Sequence, residues 1–296
     1  MSKTKAPKPA GKAKAPTKAA GQKLAANPGA QRVPVKRALL VGINAYPAPN
    51  TLSGCVNDVS DMATLLVSSY GFVEDQVRLL VDARATTDAI RERLLWLTQG
   101  ARPGDTLLFQ YSGHGVLFPL RDASGSVAEN HGAICPVDFD WSRERVLLDT
   151  DLRALLDTVP AGVEFIYVCD SCHSGDLVRA FERWQPRSYV VPADIAWRIR
   201  TAEAKGLAPS LLTQHDACAL ISGCTAQQTS ADAVFAGRPN GALTYFLIQA
   251  LKAADAHQQA LPDLVAAVTK ALLDQQYEQT PQLRGPDAIL SRPFLG

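Results

Sequence analysis

The sequence predicts an α/β fold: an open, mainly parallel sheet with helices on both faces. Strand-like and helix-like segments alternate from residue 36 onward, which suits right-handed crossover connections. The strand candidates are short, continuous apolar runs, as expected of strands buried on both sides. Two of them break abruptly into small polar residues, Thr106-Leu107-Leu108-Phe109-Gln110-Tyr111 into Ser112-Gly113-His114-Gly115 and Ile166-Tyr167-Val168-Cys169 into Asp170-Ser171-Cys172-His173-Ser174-Gly175. Open sheets of this kind place their chemistry at such carboxyl ends.

In chain order, residues 37–43 form the first strand, and a helix runs from Asn57 to about Tyr70 and Gly71. Val77 to Val81 is a strand, and Thr86-Thr87-Asp88 caps a helix that ends before Gly100 and Pro103. After the strand at 106–111, residues 116–145 read as a polar excursion whose strand-like piece is 133–137. Asp149 opens a helix to Leu156, and 163–169 is the next strand. Residues 176–215 read as a long irregular loop; a loop of that length inside a domain is usually functional or mobile. A strand at 218–222, helices at 241–254 and 262–276 and a last strand at 280–283 complete the pattern.

The 296 residues carry a net charge of +1 that conceals an asymmetry. Residues 1–37 hold ten Lys/Arg and no acidic residue, leaving 20 basic against 29 acidic residues in 38–296. Residues 1–35, rich in Lys, Ala and Pro, are expected to be a disordered tail. Such a tail could touch nucleic acid or an anionic surface through phosphate contacts, or be no more than a solvated extension. No apolar run is long enough to span a bilayer, and no signal-peptide pattern opens the chain, so the expected address is cytoplasmic. The six cysteines are then expected to be free thiols. Cys169-x-x-Cys172 with His173 would be half a zinc site, but no second pair completes it.

A Cys and a His at adjacent strand ends make a nucleophile and its base. His114 lies 58 residues before Cys172, near the separation of roughly 50 found in caspases. His173 is a competing base, but neighbouring side chains on an extended segment point opposite ways, which favours His114. Val41-Gly42-Ile43-Asn44-Ala45-Tyr46, Gly54-Cys55-Val56-Asn57-Asp58, Tyr111-Ser112-Gly113-His114-Gly115, Asp170 to Gly175 and Ile221-Ser222-Gly223-Cys224 with Thr229 to Asp232 together resemble metacaspases. More closely they resemble the bacterial orthocaspases, within the caspase-like C14 peptidases, over about residues 36–290.

The resemblance implies a caspase-haemoglobinase-like six-stranded sheet and a cysteine endopeptidase working through an acyl-enzyme. His114 would take the proton of Cys172 and return it to the leaving amine. The N–H groups of Gly115 and Cys172 would hold the oxyanion, at roughly 3 kcal/mol per donor. Gly113 and Gly115 would let the backbone approach the substrate closely. Cys55, Asp58, Ser112 and Asp170 would line the pocket for the residue before the cut bond, selecting Arg or Lys. Outside that role, Asp58 could cap its helix and Asp170 could make a structural hydrogen bond. The four calcium-binding acids of many metacaspases fall here on His131, Asp149, Thr150 and Arg179. One carboxylate of four suits calcium poorly, so no cofactor is expected, although Asp138, Asp140 and Asp151 lie near in sequence. Arg179, Arg183 and Arg187 are candidates for self-cleavage within 176–215. The remaining readings are a catalytically silent binding or scaffold module, and a protein that works through its basic tail.

Overall fold

A computed structural model describes Met1 and residues 32–172, 185–207, 215–225, 228–253 and 255–296. Residues 34–296 form one compact unit; the tail from residue 2 to 31 lies outside the described residues, as do His173, Arg179 and Arg183. The elements are β1 (Lys36–Gly42), α1 (Cys55–Ser69), β2 (Val77–Val81), α2 (Thr87–Thr98), β3 (Thr106–Ser112), β4 (Gly115–Arg121), β5 (Val127–Ile134), β6 (Leu147–Leu148) and α3 (Asp149–Leu156). They continue with β7 (Glu164–Asp170), β8 (Gln185–Pro186), α4 (Ala193–Ala204), β9 (Cys218–Ser222), β10 (Ala231–Phe235), β11 (Arg238–Gly241), α5 (Ala242–Leu251), α6 (Leu261–Asp274), β12 (Gln282–Arg284) and α7 (Asp287–Leu290).

The central sheet has six strands in the order β12-β9-β7-β3-β1-β2. All pairs are parallel except β12 with β9. Alternation along each strand splits the core into two layers. Leu39, Val41, Phe109, Tyr111 and Tyr167 face α2, α3 and the β4–β5 hairpin. Ala38, Leu40, Leu108, Ile166 and Val168 face α1, α5 and α6. Thr86 caps α2 by accepting from Ala89 N–H, as its sequence predicts.

Three expectations are corrected. Residues 116–145 are no polar excursion: β4 and β5 form a hairpin, joined by β6 in a second sheet. Pro119 masks the strand pattern, but β4 is the edge of that sheet, where a missing N–H is tolerated. The irregular loop contains α4, which begins just after Pro192. A third sheet, β11-β10-β8, stands beside the central one and was not anticipated.

Candidate active site

Parallel pairing of β3 with β7 puts Ser112 opposite Asp170, so both chains leave the sheet at one edge. Gly113 and His114 follow from β3, Ser171 and Cys172 from β7. At Gly113 a Cβ would overlap the Tyr111 and Tyr46 hydroxyls; tight packing under the loop, rather than approach to substrate, demands glycine there. The His114 ring is buried, with Nε2 2.6 Å from the Asn50 carbonyl oxygen. A carbonyl only accepts, so the proton sits on Nε2 and leaves Nδ1 as the basic nitrogen. Nδ1 has no hydrogen-bond partner among the described residues. Burial lowers the imidazole pKa to about 4, against partial opposition from the Asn50 and Arg187 backbones. At neutral pH the ring is therefore uncharged. Asn50 escaped the sequence reading because it acts through its main chain, which leaves no residue signature.

Cys172 is fully buried. Its thiol donates to Ser230 O (3.6 Å), accepts from Ser230 N–H and lies 4.0 Å from Cys224 Sγ. Among the described residues it makes no hydrogen bond to His114: the two stand at neighbouring strand ends without being joined. A segment of the chain itself fills the site. The N–H groups of Gly115 (3.1 Å) and Cys172 (3.2 Å), the pair expected to hold an oxyanion, converge on one oxygen, the carbonyl of Arg187. Arg187 N–H donates to Ser230 O (3.0 Å), and β8 just before it pairs antiparallel with β10. Ser188 pairs with Gly115 on the far side. Residues 185–188 thus run through the site between β10 and Gly115, paired as a strand at 185–186 and by an isolated bridge at Ser188.

The Arg187 side chain is wholly buried among three carboxylates. Nη2 reaches Asp58 at 2.7 Å and Asp232 at 2.9 Å, while Nη1 reaches Asp170 at 3.1 Å. Charges this deep survive only where further hydrogen bonds replace water, and each carboxylate has them. Gly241 N–H and Asn240 Nδ2 donate to Asp58 (2.9 and 3.0 Å). Ser53 and Gly54 N–H donate to Asp232 (2.8 and 3.0 Å). Thr244, through N–H and Oγ1, and Ser230 Oγ donate to Asp170 (3.0, 2.7 and 2.5 Å). Burial still raises the Asp58 pKa to about 7, against the pull of Arg187. Asp58 lies in the first turn of α1, but Gly54 holds the cap position and the carboxylate turns to the guanidinium instead.

Of the other expected pocket residues, Cys55 is buried close by, its thiol pushed up by burial and pulled down by Arg187. Ser112 is buried at the end of β3, its hydroxyl without a partner among the described residues. Asp232, the last residue of the Thr229–Asp232 motif, joins the pocket without having been expected there. Its signal was present, an acid two residues beyond Ser230 on a short strand, yet only the β8–β10 pairing shows where it lies.

Of the four expected calcium positions, His131, Asp149 and Thr150 are described and engaged with one another, while Arg179 lies outside the described residues. His131 is buried, with Nδ1 2.9 Å from Asp149 Oδ1 and Nε2 2.7 Å from Glu129 Oε2. Thr150 offers its N–H to Asp149 (2.8 Å). Neighbouring acids are engaged too: Asp138 accepts from Thr87 (N–H, 2.8 Å), Asp140 from Ser142 (N–H, 3.0 Å) and Asp151 from Leu148 N–H (3.0 Å). A hard cation needs several free oxygens, and here a ring nitrogen already holds the surviving carboxylate.

Fold and site together define a caspase-like cysteine peptidase. The solved caspase-1 of Spodoptera frugiperda shares the fold at 14% identity, with a TM-score of 0.57 over 89% of this chain and 90% of that one. A solved protein of Geobacter sulfurreducens superposes with a TM-score of 0.66 at 28% identity, over 88% and 98% of the two chains. Residues 36–180 match the metacaspase, peptidase C14 domain. Metacaspase-1 of Scheffersomyces stipitis is 30% identical over 84% of this chain and 70% of its own. Metacaspase-6 of Arabidopsis thaliana is 38% identical over 48% and 39%. The chain belongs to the metacaspase family of C14 cysteine peptidases and is a hydrolase of that type.

Proposed function

We propose that the protein is an endopeptidase that cuts after Arg, and more weakly after Lys, and that its first substrate is its own Arg187–Ser188 bond. One observation carries this reading: Arg187 places its guanidinium among Asp58, Asp170 and Asp232 while its carbonyl oxygen accepts from Gly115 and Cys172. His114 Nδ1 takes the thiol proton and Cys172 Sγ attacks the carbonyl carbon. The oxygen carries the charge between the two N–H groups. Collapse breaks the C–N bond, with His114 returning the proton to the leaving amine, and water then hydrolyses the thioester.

The neutral His114 supports a general-base start rather than a standing ion pair. The planar guanidinium fits carboxylates on both nitrogens, which a lysine ammonium cannot do as well. Calcium independence rests on the occupied His131–Asp149 pair. The test is hydrolysis of fluorogenic peptides ending in Arg, Lys or Asp, with and without a chelator, beside incubation of the intact chain. Arg cleavage untouched by chelator and a new amino terminus at Ser188 are expected. Cleavage after Asp, or an intact chain in an active preparation, would sink the respective half of the proposal.

A further inference from the structure

We infer that the site beyond the cut bond holds a pocket for an aromatic side chain, so that the protease favours substrates with Tyr, Phe or Trp at the second position after the bond. The inference rests on residues 185–190 lying as a substrate does, and it concerns the half of that segment the acidic pocket never touches. Gln185 and Val190 are exposed, but Tyr189, on an irregular stretch, is 8% exposed. Its ring meets four others edge-on: Tyr46 (5.9 Å, 83°), His114 (5.6 Å, 83°), Phe139 (5.1 Å, 81°) and Trp141 (6.4 Å, 80°). Aromatic rings attract one another in this edge-to-face arrangement.

The walls are held by the body of the protein, not by the segment. The Tyr46 hydroxyl donates to Cys135 O (2.8 Å) and accepts from His114 N–H (3.2 Å). Phe139 and Trp141 pack on each other at 4.9 Å, and Trp141 stacks on Phe118. Trp141 also takes a φ of 67°, a left-handed backbone rare for so bulky a residue and the sort of local strain that gathers at binding sites. The register is set by the main chain: Tyr189 N–H donates to Gly115 O (3.4 Å) and Val190 N–H to Asn50 Oδ1 (2.8 Å). Any extended peptide anchored by an Arg would therefore deliver its second following side chain to these rings.

The test uses internally quenched peptides Gln-Pro-Arg-Ser-Tyr-Val and Gln-Pro-Arg-Ser-Ala-Val, with an Arg coumarin amide as control. Each is given to the full-length enzyme and to a Tyr189→Ala enzyme, in which the chain's own ring no longer competes. The Tyr peptide should be cut with kcat/KM about tenfold higher in the Tyr189→Ala enzyme, chiefly through KM. Adding Trp141→Ala should shrink that ratio severalfold while the Arg amide is still cut. Equal rates on both hexapeptides in both enzymes, with the amide cleaved, overturn the pocket and leave Arg selection standing. Loss of every Arg substrate overturns both.

Discussion

The two ends of the site are built on opposite electrostatic plans. Around Cys172 and His114 stand a buried sulfur, an imidazole whose pKa burial lowers to about 4, and main-chain amides. A short distance away three buried carboxylates surround one guanidinium. Charge is concentrated around the Arg187 guanidinium, where the proposed reading puts substrate recognition, and is sparse around Cys172 and His114, where it puts the chemistry. In that reading the Cys172 end would place its dipoles on the charge that develops during reaction, while the acidic end would act before reaction starts. The contrast is open to attack from either side.

Removing the nucleophile should have the largest effect. Cys172→Ala should abolish peptide cleavage and leave the chain whole at Arg187, read by intact mass. His114→Ala should lose about 10²–10⁴-fold in kcat. At the acidic end, Asp170→Asn and Asp232→Asn should each weaken Arg peptides by about 2–5 kcal/mol in kcat/KM, the usual cost of breaking a buried hydrogen-bonded charge pair. If Asp232→Asn behaves as wild type, that residue is scaffolding. Gly241→Ala makes a further probe, because its Cβ would overlap both Asp170 Oδ2 and the Arg187 guanidinium; Arg peptides should fail while the fold survives by circular dichroism.

The two ends should also answer pH in opposite senses. His114 has a folded pKa of about 4, below its ordinary 6.5. The unfolded chain therefore binds more protons between those values, and stability falls as pH drops through them, by up to about 3 kcal/mol. Asp58, raised to about 7 from 3.8, does the reverse: its contribution is fully present below 3.8 and lost as pH rises towards 7. Denaturant titrations of His114→Gln and Asp58→Asn beside wild type, from pH 4 to 8, would separate the two slopes. The smallest expected effect is from chelation, which on the proposed calcium independence should change Arg-peptide cleavage by less than about twofold.

Most of the central sheet was legible because its strands are uninterrupted apolar runs, and adjacent His and Cys strand ends follow from parallel pairing. The β4–β5 hairpin was hidden by Pro119, whose cost depends on edge or centre, a fact of sheet order rather than of local sequence. Arg187 stood among three equal candidates in a basic loop. Of the three it alone lies among the described residues, placed by a register, β8 against β10, that brings residues 185–186 to 231–232. Asp58 and Asp170 came with the resemblance, whereas Asp232 and the Asn50 carbonyl depend on contacts between segments far apart in sequence, which no local pattern encodes.

Asp170 and Cys172 sit two residues apart on one chain, a span of at most about 7 Å. In the proposed Arg-directed enzyme that short stretch would act as a gauge: one mark would meet the tip of the substrate's side chain and the other its carbonyl. A peptide bearing ornithine would fall short of the far mark, and one bearing homoarginine would overshoot it. Side-chain length, as much as charge, is what such a stretch would measure.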